Sequence, residues 1–240
     1  MAIDMIDLAH YLTKNNLFYG PPSKSDYISY SGLCEIRRVL LGEPAAKIDP
    51  KYFVFGSELH LRFLKDKKSK HKFTKQEETD LEGMQEALWK DPFVRKIMRS
   101  SIKEVETIRL VQGVNVKVIL DINGDHSFAD IGVDLKTTSA KDYKQFVNAA
   151  IHKYRYLGQS WLYKEAEQLN EFYFVGIQKT KPYNVYILNV DDYAKEEKAT
   201  IRETQFLLDF YRQFGRAVTE SSQDRKRTER RTGKKAWSIH

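Results

Sequence analysis

Val118-Ile-Leu-Asp121 and, a turn later, Ile131-Gly-Val-Asp134-Leu-Lys136-Thr137-Thr138 decide how this chain is read. Each is a short β-branched and aliphatic run ending in a carboxylate, at a position where a core side chain is the ordinary choice. Side chains alternate along a strand, so Asp134 and Lys136 project to one face. Asn123-Gly124-Asp125 between the runs reads as a hairpin turn, and pairing through it would bring Asp121 beside Asp134. Two adjacent carboxylates repel unless a cation lies between them, and hard divalent ions prefer oxygen ligands. A lysine beside them can orient a water or offset charge building on a phosphate. Asp-x-Lys alone is more often a solvated strand end with a surface ion pair. Here the triplet closes an apolar run and follows another acid-ended run, and that context favours a cation site.

Working outward, the same β texture extends upstream over 104–111, so that three short strands cover 104–111, 115–122 and 129–136, with Gly113 between the first two. Before them the pattern is helical. Ser29 or Ser31 can cap a helix through Leu33, Ile36, Val39 and Leu40 that Gly42-Glu43-Pro44 stops. A second helix carries Phe55, Leu59, His60 and Phe63, a third covers 75–90, and Asp91-Pro92 restarts a fourth toward Met98. Residues 1–15 read as a short helix closed off by Gly20-Pro21-Pro22. Downstream, 141–167 reads as one long helix loosened at Gly158. Strands over 171–178 and 183–190 then lead to a final helix through Ile201, Leu207, Leu208, Tyr211 and Phe214. This order predicts an α/β fold with a mixed central sheet flanked by helices. A single domain is expected over 1–220: a helical part to about 100, a core over 101–190 and a closing helix over 191–217.

The 240 residues are 41% hydrophobic and 30% charged, as in a globular protein, and no apolar stretch approaches a membrane span. The acidic N-terminus lacks the pattern of a signal peptide. Cys34 is the one cysteine, which excludes an internal disulfide and a cysteine-held zinc or iron–sulfur site and makes a reducing cytoplasm the default. The formal net charge is +7 and the pI about 9.2, pointing to polyanionic partners. Residues 221–240 hold seven Lys/Arg against Asp224 and Glu229, leaving +2 for residues 1–220. That tail is expected to be disordered, with a nucleic-acid-tethering arm as the functional alternative. Neither a Gly-x-Ser-x-Gly elbow nor a Gly-x4-Gly-Lys loop is present, which argues against a serine hydrolase and a nucleotide-driven motor.

The run from Asp121 to Tyr163 resembles the PD-(D/E)XK nuclease superfamily, in particular its RecB-like and phage-type exonuclease branch. The matching residues are Asp121, Asp134-Leu-Lys136-Thr137-Thr138 and Gln159-Ser-Trp-Leu-Tyr163. Upstream, Gly56-Ser-Glu-Leu-His60 matches the Gly-x-x-x-His of that branch, and Ser29-Tyr-Ser31-Gly-Leu33 is similar to its N-terminal helix opening. The chain departs from the pattern at Leu120, where the superfamily's name has proline, and at Val118, where a small residue is common.

The resemblance implies a restriction-endonuclease-like core with an N-terminal helical cap, in a cytoplasmic enzyme of a bacterial or phage-infected cell. It implies one or two Mg2+ or Mn2+ ions held by His60, Asp121, Asp134 and the Leu135 carbonyl, with Lys136 catalytic beside Asp121 and Asp134. Gln159, Tyr163, Thr137 and Thr138 would contact substrate, and Glu104, favoured over Glu106, would be an accessory acid. The activity it implies is an exonuclease resecting duplex DNA ends in phage-type recombination or repair. A single-strand annealing protein and further copies of the chain are the expected partners. A structure-selective endonuclease and a non-catalytic DNA-binding protein are the alternatives.

Overall fold

The computed structural model describes residues 27–43, 50–99, 101–124, 130–194 and 198–215. The expected helix over 1–15, its Gly20-Pro21-Pro22 stop and the tail over 221–240 lie outside the described residues. Two compact units result, one drawn from 27–43, 110–117 and 203–215, the other from 50–109 and 118–202.

In the first unit, β1 (Ile28–Ser29) runs parallel to the opening of β3 (Val114–Gly124), with Ile28 opposite Val116. Helix α1 (Tyr30–Leu40) follows, and the Gly32 N–H donates to Ser29 Oγ at 3.3 Å, so Ser29 is the cap. The helix ends where expected, because Gly42 takes φ +65° and the Glu43 N–H closes onto the Arg38 carbonyl at 2.9 Å. Between β2 (Ser101–Val111) and β3, Gln112 and Gly113 both have positive φ, the requirement of a two-residue hairpin turn. The helix Lys198–Phe210 contributes here from Glu203 onward, and Glu203 pairs with Arg37 at 3.1 Å.

The second unit carries the mixed sheet. Its strands β4 (Ile131–Thr138), β5 (Glu171–Gln178) and β6 (Val185–Asn189) extend β3 in the order β3-β4-β5-β6. β3 and β4 are antiparallel, β4 and β5 parallel, and β5 and β6 antiparallel. Three helices contribute to one core with this sheet: α2 (Pro50–Lys65), α3 (Lys75–Lys90) and α4 (Pro92–Arg99). Leu59, Phe63, Leu81, Met84, Leu88 and Ile97 gather with Val133, Leu135, Val175 and Ile177, as the three- and four-residue spacing requires. Thr74 and Glu77 form a reciprocal capping box at the start of α3. The alternate residues of β5, Phe172 and Phe174, meet Tyr163 and Tyr156 from the segment that follows β4.

Two expectations are corrected. Asn123 and Gly124 belong to β3, with Asn123 opposite Gly132, so the turn is not a two-residue hairpin at those positions. The span 141–167 is not one helix loosened at Gly158. It is α5 (Tyr143–Asn148), a π-helical turn over Ala149–Lys153, and α6 (Tyr156–Glu167), broken at Arg155, whose φ of 56° is left-handed. The break resets the helix so that Tyr156, Gln159 and Tyr163, spaced three and four apart, share one face.

Gly176 on β5 lies opposite Lys136, and a Cβ there would stand 2.5 Å from the Phe146 ring. Gly176→Ala therefore overpacks a well-filled site and is expected to cost about 1–3 kcal/mol, read as a fall in the denaturation midpoint. An unchanged midpoint would show that Phe146 yields freely.

Candidate active site

Backbone hydrogen bonding explains why the acids stand where they do. The β3–β4 ladder ends at Ile122 opposite Val133, whereas β4 stays paired with β5 along its whole length. Continuing the antiparallel register by one step sets Asp121 opposite Asp134. Where the ladder has ended, the backbone of Leu135 needs other partners. Its N–H donates to Asp121 Oδ2 at 2.7 Å, and its carbonyl lies 3.0 Å from His60 Nε2 on α2. The other ring nitrogen of His60 is 3.3 Å from Asp121 Oδ1. His60, Asp121 and Leu135 thus form one contiguous group at the split between two strands.

Asp134 is 4% exposed. Its Oδ2 accepts from Gln159 Nε2 at 2.7 Å, while Oδ1 forms an ion pair with Lys136 and accepts no well-aligned hydrogen bond. The Lys136 ammonium is also 5.3 Å from the centre of the Tyr156 ring and 5.9 Å from that of Phe174. Tyr163 is buried, edge-on to Phe172 and hydrogen-bonded with Gln159. Thr137 stands beside α2, where a methyl on Gly56 would meet its Oγ1 at 3.5 Å. The Thr138 hydroxyl accepts the Ala140 N–H at 3.1 Å and ends the strand. Glu104 reaches the same pocket as His60 and Asp121 but is ion-paired with Lys65. Its left-handed backbone, φ 47°, re-aims β2 at that point.

The electrostatics are those of a crowded buried cluster. Burial raises the Asp134 pKa, Lys136 opposes that, and Asp121 adds like-charge repulsion; the balance lies above the usual carboxylate value. For Asp121, burial is outweighed by His60, Lys136 and the Leu135 N–H, and its pKa falls. His60 is raised because Asp121 and Asp134 overcome its burial, and both ring nitrogens face oxygen acceptors, which suits the imidazolium. Lys136 is likewise held charged above its ordinary range, since Asp134, Tyr156 and Asp121 exceed the penalty of burial. Burial pushes the Tyr156 and Tyr163 hydroxyls up to about 12.

Among the described residues, no three His, Cys, Asp or Glu side chains converge as a ready set of metal ligands. The donors are engaged with one another instead. Their chemistry nonetheless fits a hard divalent cation: two repelling carboxylates, a buried Asp134 oxygen met only by the Lys136 ammonium, an imidazole and a backbone carbonyl.

Tyr156 stands outside the motifs, and its spacing to Gln159 and Tyr163 is the signal that puts it on their helix face. Lys65 and the lysines that follow it stand outside the motifs as well. Their signal is plain in the sequence, as a run over 65–72 that adjoins the His60 helix.

A strand carrying Asp121 beside an Asp-x-Lys strand, on a mixed sheet flanked by helices, defines a PD-(D/E)XK-type domain. The chain belongs to a family described as PDDEXK-like domain of unknown function (DUF3799), whose model matches residues 46–213. None of the curated proteins matches it in sequence. Among solved structures it shares its fold with a candidate exonuclease from Eubacterium rectale, at 18% identity and a TM-score of 0.53, covering 88% of this chain and 86% of that one. A phage-related exonuclease from Haemophilus somnus is more distantly similar, at 15% identity and a TM-score of 0.41, covering 85% and 99%. An alkaline exonuclease from Laribacter hongkongensis is at 12% and 0.34, covering 80% and 95%.

Proposed function

We propose that this protein is a divalent-metal-dependent deoxyribonuclease that works from the ends of duplex DNA. The observation that carries the reading is the Leu135 backbone at the parting of β3 and β4, satisfied by Asp121 on one side and His60 on the other while Asp134 and Lys136 flank it. Asp121, Asp134, His60 and the Leu135 carbonyl would hold Mg2+ or Mn2+, as one or two ions. The ion would act as a Lewis acid toward the phosphate and supply a nucleophile at neutral pH.

The remaining chemistry belongs to the chain. Lys136, kept charged by Asp134, would hold the attacking water or offset negative charge on the phosphoryl oxygens as the bond to the leaving oxygen breaks. Gln159 fixes the orientation of Asp134 through its amide. Tyr156 and Phe174 shield one side of the ammonium from water, which strengthens its field at the phosphate. Thr137, beside α2, would offer its hydroxyl to a phosphate. Thr138 already serves the strand end. A role in recombination or repair, with an annealing protein or further copies of the chain, accords with the end-processing reading. Among the described residues no helix is long and apolar enough to cross a membrane.

The end requirement is tested by offering linear and covalently closed circular duplex of one sequence with Mn2+. Loss of the linear form alone is expected. Equal loss of both would replace the exonuclease with an endonuclease on the same residues.

A further inference from the structure

The segment Lys65-Asp-Lys-Lys-Ser-Lys-His-Lys72 packs five lysines against one acid. With +2 on residues 1–220 as a whole, the rest of that span sums to −2 and the loop alone holds +4. Lys65, Lys67, Lys68, Lys70 and Lys72 are all exposed. Lys65 pairs with Glu104 and Lys68 lies 3.8 Å from Glu78, while Lys67, Lys70 and Lys72 have no acidic partner among the described residues. Like charges crowded this closely repel, and a polyanion relieves the repulsion.

The loop is also held in shape from beneath. The Ser69 N–H donates to Glu58 Oε2 at 3.1 Å, and the other oxygen of Glu58 accepts from Arg62 Nε at 2.6 Å. Arg62 in turn binds both oxygens of Glu78 at 2.8 Å and lies 5.7 Å from the centre of the Phe73 ring. The Ser69 hydroxyl accepts the His71 N–H at 3.2 Å, and the Lys67 N–H returns to the Leu61 carbonyl at 3.1 Å. A buried ion pair therefore fixes the backbone of a surface loop, so its lysines meet a partner without first ordering the chain. The loop and the site share one pocket of about 640 Å³, lined by Lys65, Ser69 and His71 together with His60 and Asp121.

We infer that the 65–72 loop is a sugar–phosphate backbone track that leads a DNA strand to the His60–Asp121 side of the site. This rests on the nuclease reading above. The strand is gripped by charge without base contacts, so the grip is indifferent to sequence and sensitive to salt.

The test is equilibrium binding of a labelled linear duplex to the full chain in EDTA across a salt series, with cleavage in Mn2+ followed in parallel. A Lys67→Gln/Lys70→Gln/Lys72→Gln variant should bind about 10–100-fold more weakly, with the slope of log K against log salt reduced by about 2–3. A charge-matched variant, Lys90→Gln/Lys153→Gln/Lys198→Gln, should change both far less. Equal losses in the two variants, or no change in the loop variant, would overturn the track while leaving a cleaving enzyme in place. A wild-type chain that neither binds nor cleaves duplex DNA would remove the nuclease reading and the track together.

Discussion

Asp134→Asn is expected to lower DNA cleavage about a thousandfold or more, because several kcal/mol of cation-derived stabilisation are lost with the carboxylate and each 1.36 kcal/mol is a factor of ten. The substitution keeps an oxygen for the Gln159 amide, whose donor is 2.7 Å from Asp134 Oδ2, so the local packing survives. Two electrostatic changes oppose each other. Removing a buried charge relieves desolvation and repulsion from Asp121, and it also takes away the counter-ion of Lys136. The melting temperature in EDTA should consequently move by only a few degrees. A ligand that binds the native state stabilises it by about 2.7 kcal/mol at a hundred times its dissociation constant. Mn2+ should raise the melting temperature of the wild type and leave the variant where it was. A variant that still gains stability from Mn2+ would show that the cation binds elsewhere.

Arg62→Met is expected to be the most damaging single change to stability, at about 3–5 kcal/mol in denaturant unfolding. The Arg62 and Glu58 side chains are only 3% and 1% exposed, so the variant leaves Glu58 charged and buried without its main partner. Replacing both, as Glu58→Leu/Arg62→Met, should recover part of the loss, since an apolar pair of similar volume is often neutral. The same network sets an acid limit. Burial pushes Glu58 up, but Ser69 and Arg62 outweigh it and its pKa lies below the ordinary 4.5. Arg62 holds Glu78 down in the same direction. With folded values below unfolded ones, the unfolded chain binds more protons, so this stability is present above about pH 4.5 and lost as pH falls through the folded values. Wild type should therefore destabilise more steeply below pH 4.5 than the double variant. Parallel pH profiles would contradict that assignment.

Local pattern carried far into this fold where spacing and capping agree. Helix α3 runs over Lys75–Lys90, and α4 begins at Pro92, the positions that periodicity and Asp91-Pro92 indicated. The acids at 121 and 134 betrayed themselves by standing where aliphatic residues belong. What escaped was set by tertiary structure. The register carries Asn123 and Gly124 into β3, which the turn chemistry of those residues alone does not anticipate. The helix after β4 breaks at Arg155, a residue with no intrinsic preference for positive φ, while Gly158 remains helical. Gln159 and Tyr163 share the expected helix face, and their burial against Asp134 and Phe172 is set by the tertiary fold. The lysine run at 65–72 is plain in the sequence, whereas the pocket that Lys65 shares with His60 depends on the fold.

The proposed role of the cluster of Asp121, Asp134, His60 and Lys136 is metal-dependent hydrolysis of DNA. Its most direct test is the release of label from the end of a linear duplex by the purified wild-type chain, first in EDTA and then with Mn2+ in excess. No release is expected in EDTA, and release on adding Mn2+. Release that proceeds undiminished in EDTA would rule out a metal-dependent cluster.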